Sequence, residues 1–196
     1  MSKTEELKKI RDEVFNLRES SLYEYRVKSG YFPVLGEGSH DAKIMFIGEA
    51  PGLNEAKRGR PFCGAAGKVL DELLESIGLP RKDVYITNIV KDRPPGNRDP
   101  LPTEIALYAP FLERQIDIIK PKVIAILGRI SMGYIFNKFG LADQLETISK
   151  MHGKAYDAEL PHGKVKIVAL YHPAVGVYNP HTKDALKKDF AILKSL

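Results

Sequence analysis

Four short, almost wholly apolar segments, separated by longer segments of helical pattern, limit most strongly how this chain can fold. They lie at residues 44–47, 84–90, 123–127 and 165–170. Strands that are apolar on both faces are typical of a parallel sheet covered by helices on each side. The alternation therefore predicts an α/β fold, a three-layer α/β/α sandwich with a central four-stranded, mostly parallel sheet.

The segments outside these strands carry apolar residues three and four positions apart, a spacing that predicts helices. The predicted helices cover about residues 3–28, 67–78, 103–120, 129–139 and 182–194. Pro110 lies inside the third of them and should kink it. We interpret residues 1–196 as a single domain, with residues 1–30 as an N-terminal helical segment packed on it.

Composition narrows the class of protein. Hydrophobic residues make up 43% of the 196 and charged residues 28%, a balance typical of globular proteins. The sequence contains neither an apolar run of the roughly 20 residues that a membrane span needs nor an N-terminal secretion signal, so we expect a cytoplasmic protein. A single cysteine, Cys63, excludes an intrachain disulfide. The net charge of +5 permits a nucleic acid partner.

Polar side chains occur where three of the predicted strands end. They are Glu49, Asn88 and His172, and Phe62 lies in a nearby glycine-rich segment. Ligands of parallel sheets bind at the carboxyl ends of the strands, so we expect these residues to meet at one edge. A carboxylate, an amide, an imidazole and an aromatic face suit a pocket for a planar base. Each residue also has an ordinary structural interpretation. Glu49 could cap a turn, Asn88 could bridge to a loop backbone, His172 could be a hydrogen-bonded loop residue, and Phe62 could belong to the core.

Four motifs follow one another along the chain: IMFIGEAPG at 44–52, GRPFCGAAG at 59–67, TNIVKDRPPGNR at 87–98 and HPA at 172–174. Together with the Asn-Pro pair at 179–180, this ordered set resembles the uracil-DNA glycosylase superfamily, and within it family 4, the thermostable bacterial and archaeal type. The resemblance spans about residues 14–196. It implies a monomeric DNA-repair enzyme that flips uracil out of DNA and hydrolyses its N-glycosidic bond without a metal.

The resemblance also implies roles for single residues. Asn88 would read the edge of uracil, His172 would stabilise negative charge at the pyrimidine O2, and Glu49 would help position the attacking water. Phe62 would stack on the flipped base. Ala50 stands where the best-studied uracil glycosylases have an aspartate. The implied catalytic residues are Glu49, His172 and Asn88, and the implied substrate-binding residues are Gly48, Glu49, Ala50, Phe62, Asn88 and His172.

Basic residues flank the motifs and predict a track for DNA phosphates. They are Lys57, Arg58, Arg60, Lys91, Arg93 and Arg98. Family members typically carry a Leu-Arg pair after the His-Pro motif, which wedges into the space left by the flipped base. Val177 and Tyr178 occupy those positions here, and they predict either a DNA contact without charge or an ordinary surface loop.

Members of family 4 usually hold an iron–sulfur cluster with four cysteines. The four aligned positions of this chain are Leu17, Ser20, Asp92 and Tyr108. Thiolates are the ordinary ligands of such clusters, so we expect no cofactor. An apolar and hydrogen-bonded substitute that includes Leu17 and Tyr108 is expected instead.

Three alternatives to uracil excision remain open at this stage. The protein could excise another deaminated or mismatched base such as hypoxanthine, bind nucleic acid without catalysis, or act on free nucleotides. Asn88 favours uracil, because an amide can donate to O4 and accept from N3–H at the same time.

Overall fold

The computed structural model describes residues 1–196 apart from the side chain of Pro180, so the second half of the motif at 179–180 lies outside the described residues. The helices are α1 (Lys3–Phe15), α2 (Ser21–Lys28), α3 (Leu53–Arg58), α4 (Ala65–Ser76), α5 (Pro102–Ile119), α6 (Arg129–Lys138), α7 (Ile148–Met151), α8 (Val175–Tyr178) and α9 (Lys183–Ala191). The strands are β1 (Glu37–Gly38), β2 (Ile44–Gly48), β3 (Tyr85–Asn88), β4 (Val123–Leu127), β5 (Lys154–Leu160) and β6 (Gly163–Leu170).

The strands form one sheet in the order β1-β3-β2-β4-β6-β5. The four predicted strands pair in parallel at its centre, while β1 and β5 add antiparallel edges. The α/β class is thus confirmed, but the prediction of four strands is wrong, because the sheet has six. Strand β1 is too short to leave a pattern, and β5 mixes exposed charged residues with buried and half-buried apolar ones, as edge strands do.

Helices cover both faces of the sheet, which confirms the three-layer arrangement. Along β2, Met45 and Ile47 join the core beneath α1, α5 and α6, whereas Phe46 joins the core beneath α4 and α9. This alternation follows from the period of two along a strand. None of the helices in the described part of the chain is long and apolar enough to cross a membrane.

The N-terminal segment contains two helices, so the prediction of one helix over residues 3–28 is wrong. Helix α1 ends at Phe15, and Ser20 begins α2 by accepting a hydrogen bond from the Leu22 N–H at 3.1 Å. Serine favours such a cap, because its hydroxyl satisfies a free N–H of the first turn. Apolar residues of both helices, including Val14 and Leu22, pack into the core on one face of the sheet.

Helix α5 begins at Pro102, one residue before the predicted start at Thr103. The Glu104 carboxylate accepts a hydrogen bond from the Leu101 N–H at 2.8 Å and satisfies the first turn. The helix continues through Pro110 to Ile119.

Candidate functional site

A cavity of about 370 Å³ opens at the carboxyl ends of the central strands. It brings together Glu49 after β2, Asn88 at the end of β3 and His172 after β6, which confirms that these residues meet at one edge of the sheet. Phe62 reaches the cavity from the loop between α3 and α4. The full lining is Glu49, Ala50, Gly52, Glu55, Phe62, Ala66, Asn88, Asn97, His172 and Ala174.

Gly48 is buried beneath this lining and shapes it. It pairs with Asn88 in the parallel register of β2 and β3. A Cβ atom at Gly48 would lie 2.3 Å from Asn88 Oδ1 and 2.9 Å from Cζ of the Phe62 ring, closer than real Cβ atoms approach. Glycine therefore allows the amide and the ring to lie over the end of the strand.

The backbone fixes the position of Phe62. Its φ is +45°, in the left-handed region that side chains other than glycine rarely adopt. Gly67 lies so close that a Cβ there would be 1.9 Å from the Phe62 carbonyl oxygen. The Glu55 carboxylate accepts hydrogen bonds from the N–H groups of Cys63 at 3.1 Å and Gly64 at 3.0 Å. The ring is therefore held on the cavity wall by the loop itself.

His172 is a neutral hydrogen-bond donor in this site. Its Nδ1 accepts a hydrogen bond from the Ala174 N–H at 3.2 Å, which leaves the proton of the neutral ring on Nε2. Burial lowers the pKa of His172 to about 4, although the Glu55 carboxylate acts in the opposite direction. The imidazole lies 5.5 Å from the Phe62 ring, centroid to centroid, with the planes inclined by 32°.

The side chains of Asn88 and Glu49 form no hydrogen bond with the described residues, although Asn88 is only 2% exposed. A buried amide without a partner costs about 1–3 kcal/mol, so these groups are available to a ligand. Burial, followed by the Asp99 carboxylate, raises the pKa of Glu49, while Arg129 lowers it. Asp99 and Arg129 form an ion pair with each other.

Two of the polar residues that line the cavity were missed from the sequence. Glu55 stands three positions after Gly52, the N-cap of α3, where a carboxylate is common at the start of a helix. Asn97 has a φ of +56°, a conformation that asparagine tolerates in turns, and the motif PPGN was a signal for such a turn. Its Oδ1 accepts a hydrogen bond from Arg93 Nε at 2.7 Å.

The predicted phosphate track is only partly available. Lys91 was placed on it wrongly, because this side chain is fully buried. Arg98 is bound by two hydrogen bonds, of 2.9 and 2.7 Å, to the Glu104 carboxylate. Arg60 is similarly bound to Glu37 by two hydrogen bonds of 2.8 Å.

Other predicted DNA contacts remain accessible. Lys57 and Arg58 are exposed on α3, and Arg93 lies next to the cavity through its bond with Asn97. Val177 and Tyr178 lie on α8, immediately after the Ala174 that lines the cavity, and are 38% and 87% exposed.

The positions aligned with cluster cysteines form a buried polar network. The Tyr108 hydroxyl lies 2.6 Å from Asp92 Oδ2 and 2.8 Å from Ser20 Oγ. Because a hydroxyl has one proton, Tyr108 donates to the carboxylate and accepts from Ser20. Arg26 Nε lies 3.3 Å from Asp92 Oδ1. Burial raises the pKa of Asp92 to about 6, although Tyr108 and Arg26 both lower it. Leu17 is half-buried against the adjacent core.

Comparisons with known proteins agree on a family. The model of the Uracil DNA glycosylase superfamily matches residues 35–194. The Type-4 uracil-DNA glycosylase of Sulfurisphaera tokodaii is 46% identical over 191 residues, covering 97% of this chain and 84% of that protein. The one of Archaeoglobus fulgidus is 46% identical over 186 residues, covering 95% and 90%. The Type-5 uracil-DNA glycosylase of Thermus thermophilus is 34% identical over 155 residues, covering 71% and 68%.

Proposed function

This chain belongs to the uracil DNA glycosylase superfamily, and on that premise we propose that it removes uracil from DNA in base excision repair. The enzyme is a hydrolase of the N-glycosidic bond and leaves an abasic site. The observation that carries the proposal is the cavity, in which an amide, a carboxylate and an imidazole N–H converge without hydrogen-bond partners among the described residues.

Asn88 selects the base in this proposal. Its amide donates to O4 of uracil and accepts from N3–H, whereas cytosine presents a donor and an acceptor in the reverse places. Extruding the base costs a few kcal/mol, and stacking on Phe62 offsets part of this cost. The Phe62 ring stands ready for that contact, because its backbone and Gly67 hold it in place.

His172 stabilises the leaving group. As the bond between C1′ and N1 breaks, its electron pair moves onto the base, and the Nε2–H donates to O2 of the resulting uracil anion. A hydrogen bond to a developing charge strengthens in the transition state, which accelerates the reaction. The low pKa of His172 keeps the imidazole neutral at physiological pH.

Glu49 assists the attacking water. The water oxygen bonds to C1′, and one of its protons passes to the Glu49 carboxylate. The pKa of Glu49, raised by burial, brings this group closer to the working pH than an exposed glutamate, as a general base requires.

The DNA backbone lies against Lys57 and Arg58, which are exposed on α3, and against the half-buried Arg93 of the loop near the cavity. Arg60 and Arg98 contribute less, since each is held in an ion pair. Val177 and Tyr178 fill the gap that the extruded base leaves in the stack. Tyr178 suits this role because an exposed aromatic ring stacks on any base.

We propose further that the enzyme works without an iron–sulfur cluster. The donor set does not fit one, because none of the four side chains offers a thiolate: Leu17 is apolar, and Tyr108 is hydrogen-bonded to both Ser20 and Asp92. Within the described part of the chain, no group of three His, Cys, Asp or Glu side chains is arranged to hold a metal. Stoichiometric iron in the purified protein would overturn this proposal.

We also propose that the chain acts as one monomeric domain in the cytoplasm, at the DNA it repairs. Support comes from the shared core, in which residues of α1 and α2 pack with those of the sheet.

Labelled oligonucleotides that contain one uracil, either single-stranded or opposite G or A, test the activity. We expect alkali-dependent cleavage at uracil by the protein, and its loss in the Asn88→Ala and His172→Ala variants. A matched set with hypoxanthine in place of uracil tests the alternative base. Intact uracil DNA beside cleaved hypoxanthine DNA would reassign the substrate, and DNA binding without any cleavage would indicate a protein that binds but does not catalyse.

A further inference from the structure

Lys91 is a buried lysine that none of the steps above uses. Its side chain is 0% exposed. Nζ lies 2.6 Å from the backbone carbonyl oxygen of Asn88, 2.6 Å from Gln115 Oε1 and 2.8 Å from Thr87 Oγ1. Lysine is rarely buried to this extent, so the three contacts require an explanation.

Hydrogen-bond accounting shows which form of Lys91 these contacts need. Gln115 Nε2 donates to the Leu35 carbonyl at 2.9 Å and to the Tyr85 hydroxyl at 3.1 Å, so its Oε1 is an acceptor facing Lys91. The Thr87 hydroxyl donates its only proton to the Leu35 carbonyl at 2.6 Å. Lys91 therefore faces three acceptors, and only an ammonium group has three protons to donate.

This ammonium has no carboxylate partner among the described side chains. Asp92, the next residue, is bound to Tyr108 and Arg26 instead. Burial lowers the pKa of Lys91 well below that of an ordinary lysine, whereas the three acceptors hold its proton in place. The geometry of the three acceptors thus favours a positive charge in the protein interior, where charges act over longer distances than in water.

Asn88 connects this charge to the cavity. Its carbonyl oxygen binds Lys91, while its side chain lines the cavity at the end of β3. We propose that Lys91 is a positioning residue for base excision, whose ammonium fixes Asn88 and whose unpaired charge favours the negative charge on the departing base. This inference rests on the proposed function, because it assumes an anionic leaving group.

The Lys91→Met variant tests the inference by removing the donors and the charge while keeping a long apolar side chain. We expect the single-turnover rate of uracil excision to fall on the order of 100-fold, with DNA affinity within about twofold of wild type. Thr87→Ser is the matched control, because it removes a buried methyl group from the same network and keeps all three acceptors of the ammonium. A Lys91→Met variant no slower than Thr87→Ser would overturn the inference.

The Gln115→Glu variant tests the effect of the Lys91 charge while keeping the Lys91 side chain in place. It also tests the inference if the Lys91→Met variant does not fold. The new carboxylate neutralises the ammonium and can accept from both Lys91 and Tyr85, while the Leu35 carbonyl keeps the Thr87 hydroxyl. We expect excision to slow about tenfold with the melting temperature retained. Excision at the wild-type rate would overturn the inference, since the charge would then have no effect.

Nitrogen-15 NMR of the free protein gives a readout that needs no substrate. We expect an Nζ signal coupled to three slowly exchanging protons at pH 7, absent from the Lys91→Met spectrum. A neutral amine at this position would overturn the inference. A wild-type protein that shows the ammonium signal but leaves uracil intact would instead contradict the proposed function, so the two failures are distinguishable.

Discussion

The cavity and the buried network of Ser20, Arg26, Asp92 and Tyr108 both adjoin the end of β3, but they treat polar groups in opposite ways. In the cavity, the side chains of Asn88 and Glu49 have no hydrogen-bond partner among the described residues. In the network, the two hydroxyl groups and Asp92 Oδ2 are hydrogen-bonded through Tyr108, and Arg26 forms an ion pair with Asp92 Oδ1. Polar groups that are bonded internally contribute to stability, whereas those left free contribute to binding.

The largest test of this contrast is Asn88→Asp, which keeps the shape of the side chain and removes its donor. The added negative charge repels the departing base, so we expect the rate of uracil excision to fall by more than about 100-fold. The new carboxylate is desolvated, so the variant should unfold at a lower temperature than the wild type, and excision is measured where both are folded. The exposed Asn137→Asp is the matched control and should excise at the wild-type rate. Equal loss in both variants would contradict a specific role for Asn88.

Lowering the pH should change the contributions of the two regions to stability in opposite directions. The folded pKa of His172 is about 4, below that of the unfolded chain, so stability falls as the pH decreases from about 6.5 to 4. The folded pKa of Asp92 is about 6, above that of the unfolded chain, so its contribution rises as the pH decreases from about 6 to 4. Each effect amounts to at most about 3 kcal/mol.

Urea denaturation across this pH range measures both effects. As the pH decreases, the free energy of unfolding of the wild type should fall relative to that of the His172→Gln variant. Relative to that of the Asp92→Asn variant, it should rise. Two differences of the same sign would show that one of the two groups lies in a different environment from the one described.

Tyr108→Phe should destabilise the network without slowing catalysis. The change removes the hydroxyl that donates to the buried Asp92, which should lower the free energy of unfolding by about 1–3 kcal/mol. Tyr134→Phe, which removes the bond from a half-buried tyrosine to Glu113, is the control and should cost less. Denaturant titration and excision assays at a temperature where both variants are folded would check this. A Tyr108→Phe variant that is stable but inactive would remove the distinction between the regions.

The smallest effect is expected for Tyr178→Ala at the edge of the cavity. Loss of stacking in the gap should weaken excision from duplex DNA about threefold to tenfold and affect single strands less. Val27→Ala, at an exposed apolar position on α2, should have no effect. Equal losses on both kinds of DNA would show that Tyr178 does not fill the gap.

The central strands and the meeting of Glu49, Asn88 and His172 could be predicted because parallel strands bring their carboxyl ends to one edge. The edge strand β1 could not, since two residues leave no periodic signal. Asn97 was missed because its place in the cavity depends on a left-handed turn after β3.

The burial of Lys91 could not be predicted from the sequence for a different reason. It follows β3 in a polar motif, where a lysine is ordinarily exposed, and nothing nearby along the chain indicates burial. Its partner Gln115 lies 24 residues away on α5 and becomes a neighbour only in the folded protein. The basic residues of the motif at 87–98 look alike in the sequence. Only the folded structure shows which of them is buried, which is ion-paired and which is accessible.

The left-handed backbone at Phe62 also bears on how the protein searches DNA. The ring is placed by φ, Gly67 and Glu55 rather than by a mobile side chain, so its ordering is completed when the protein folds. A binding surface ordered in advance loses little entropy at each encounter. We therefore expect the time that the protein spends on each base to depend on how readily that base leaves the helix. Because uracil is rare in DNA, most encounters are with normal bases, and these encounters should be brief.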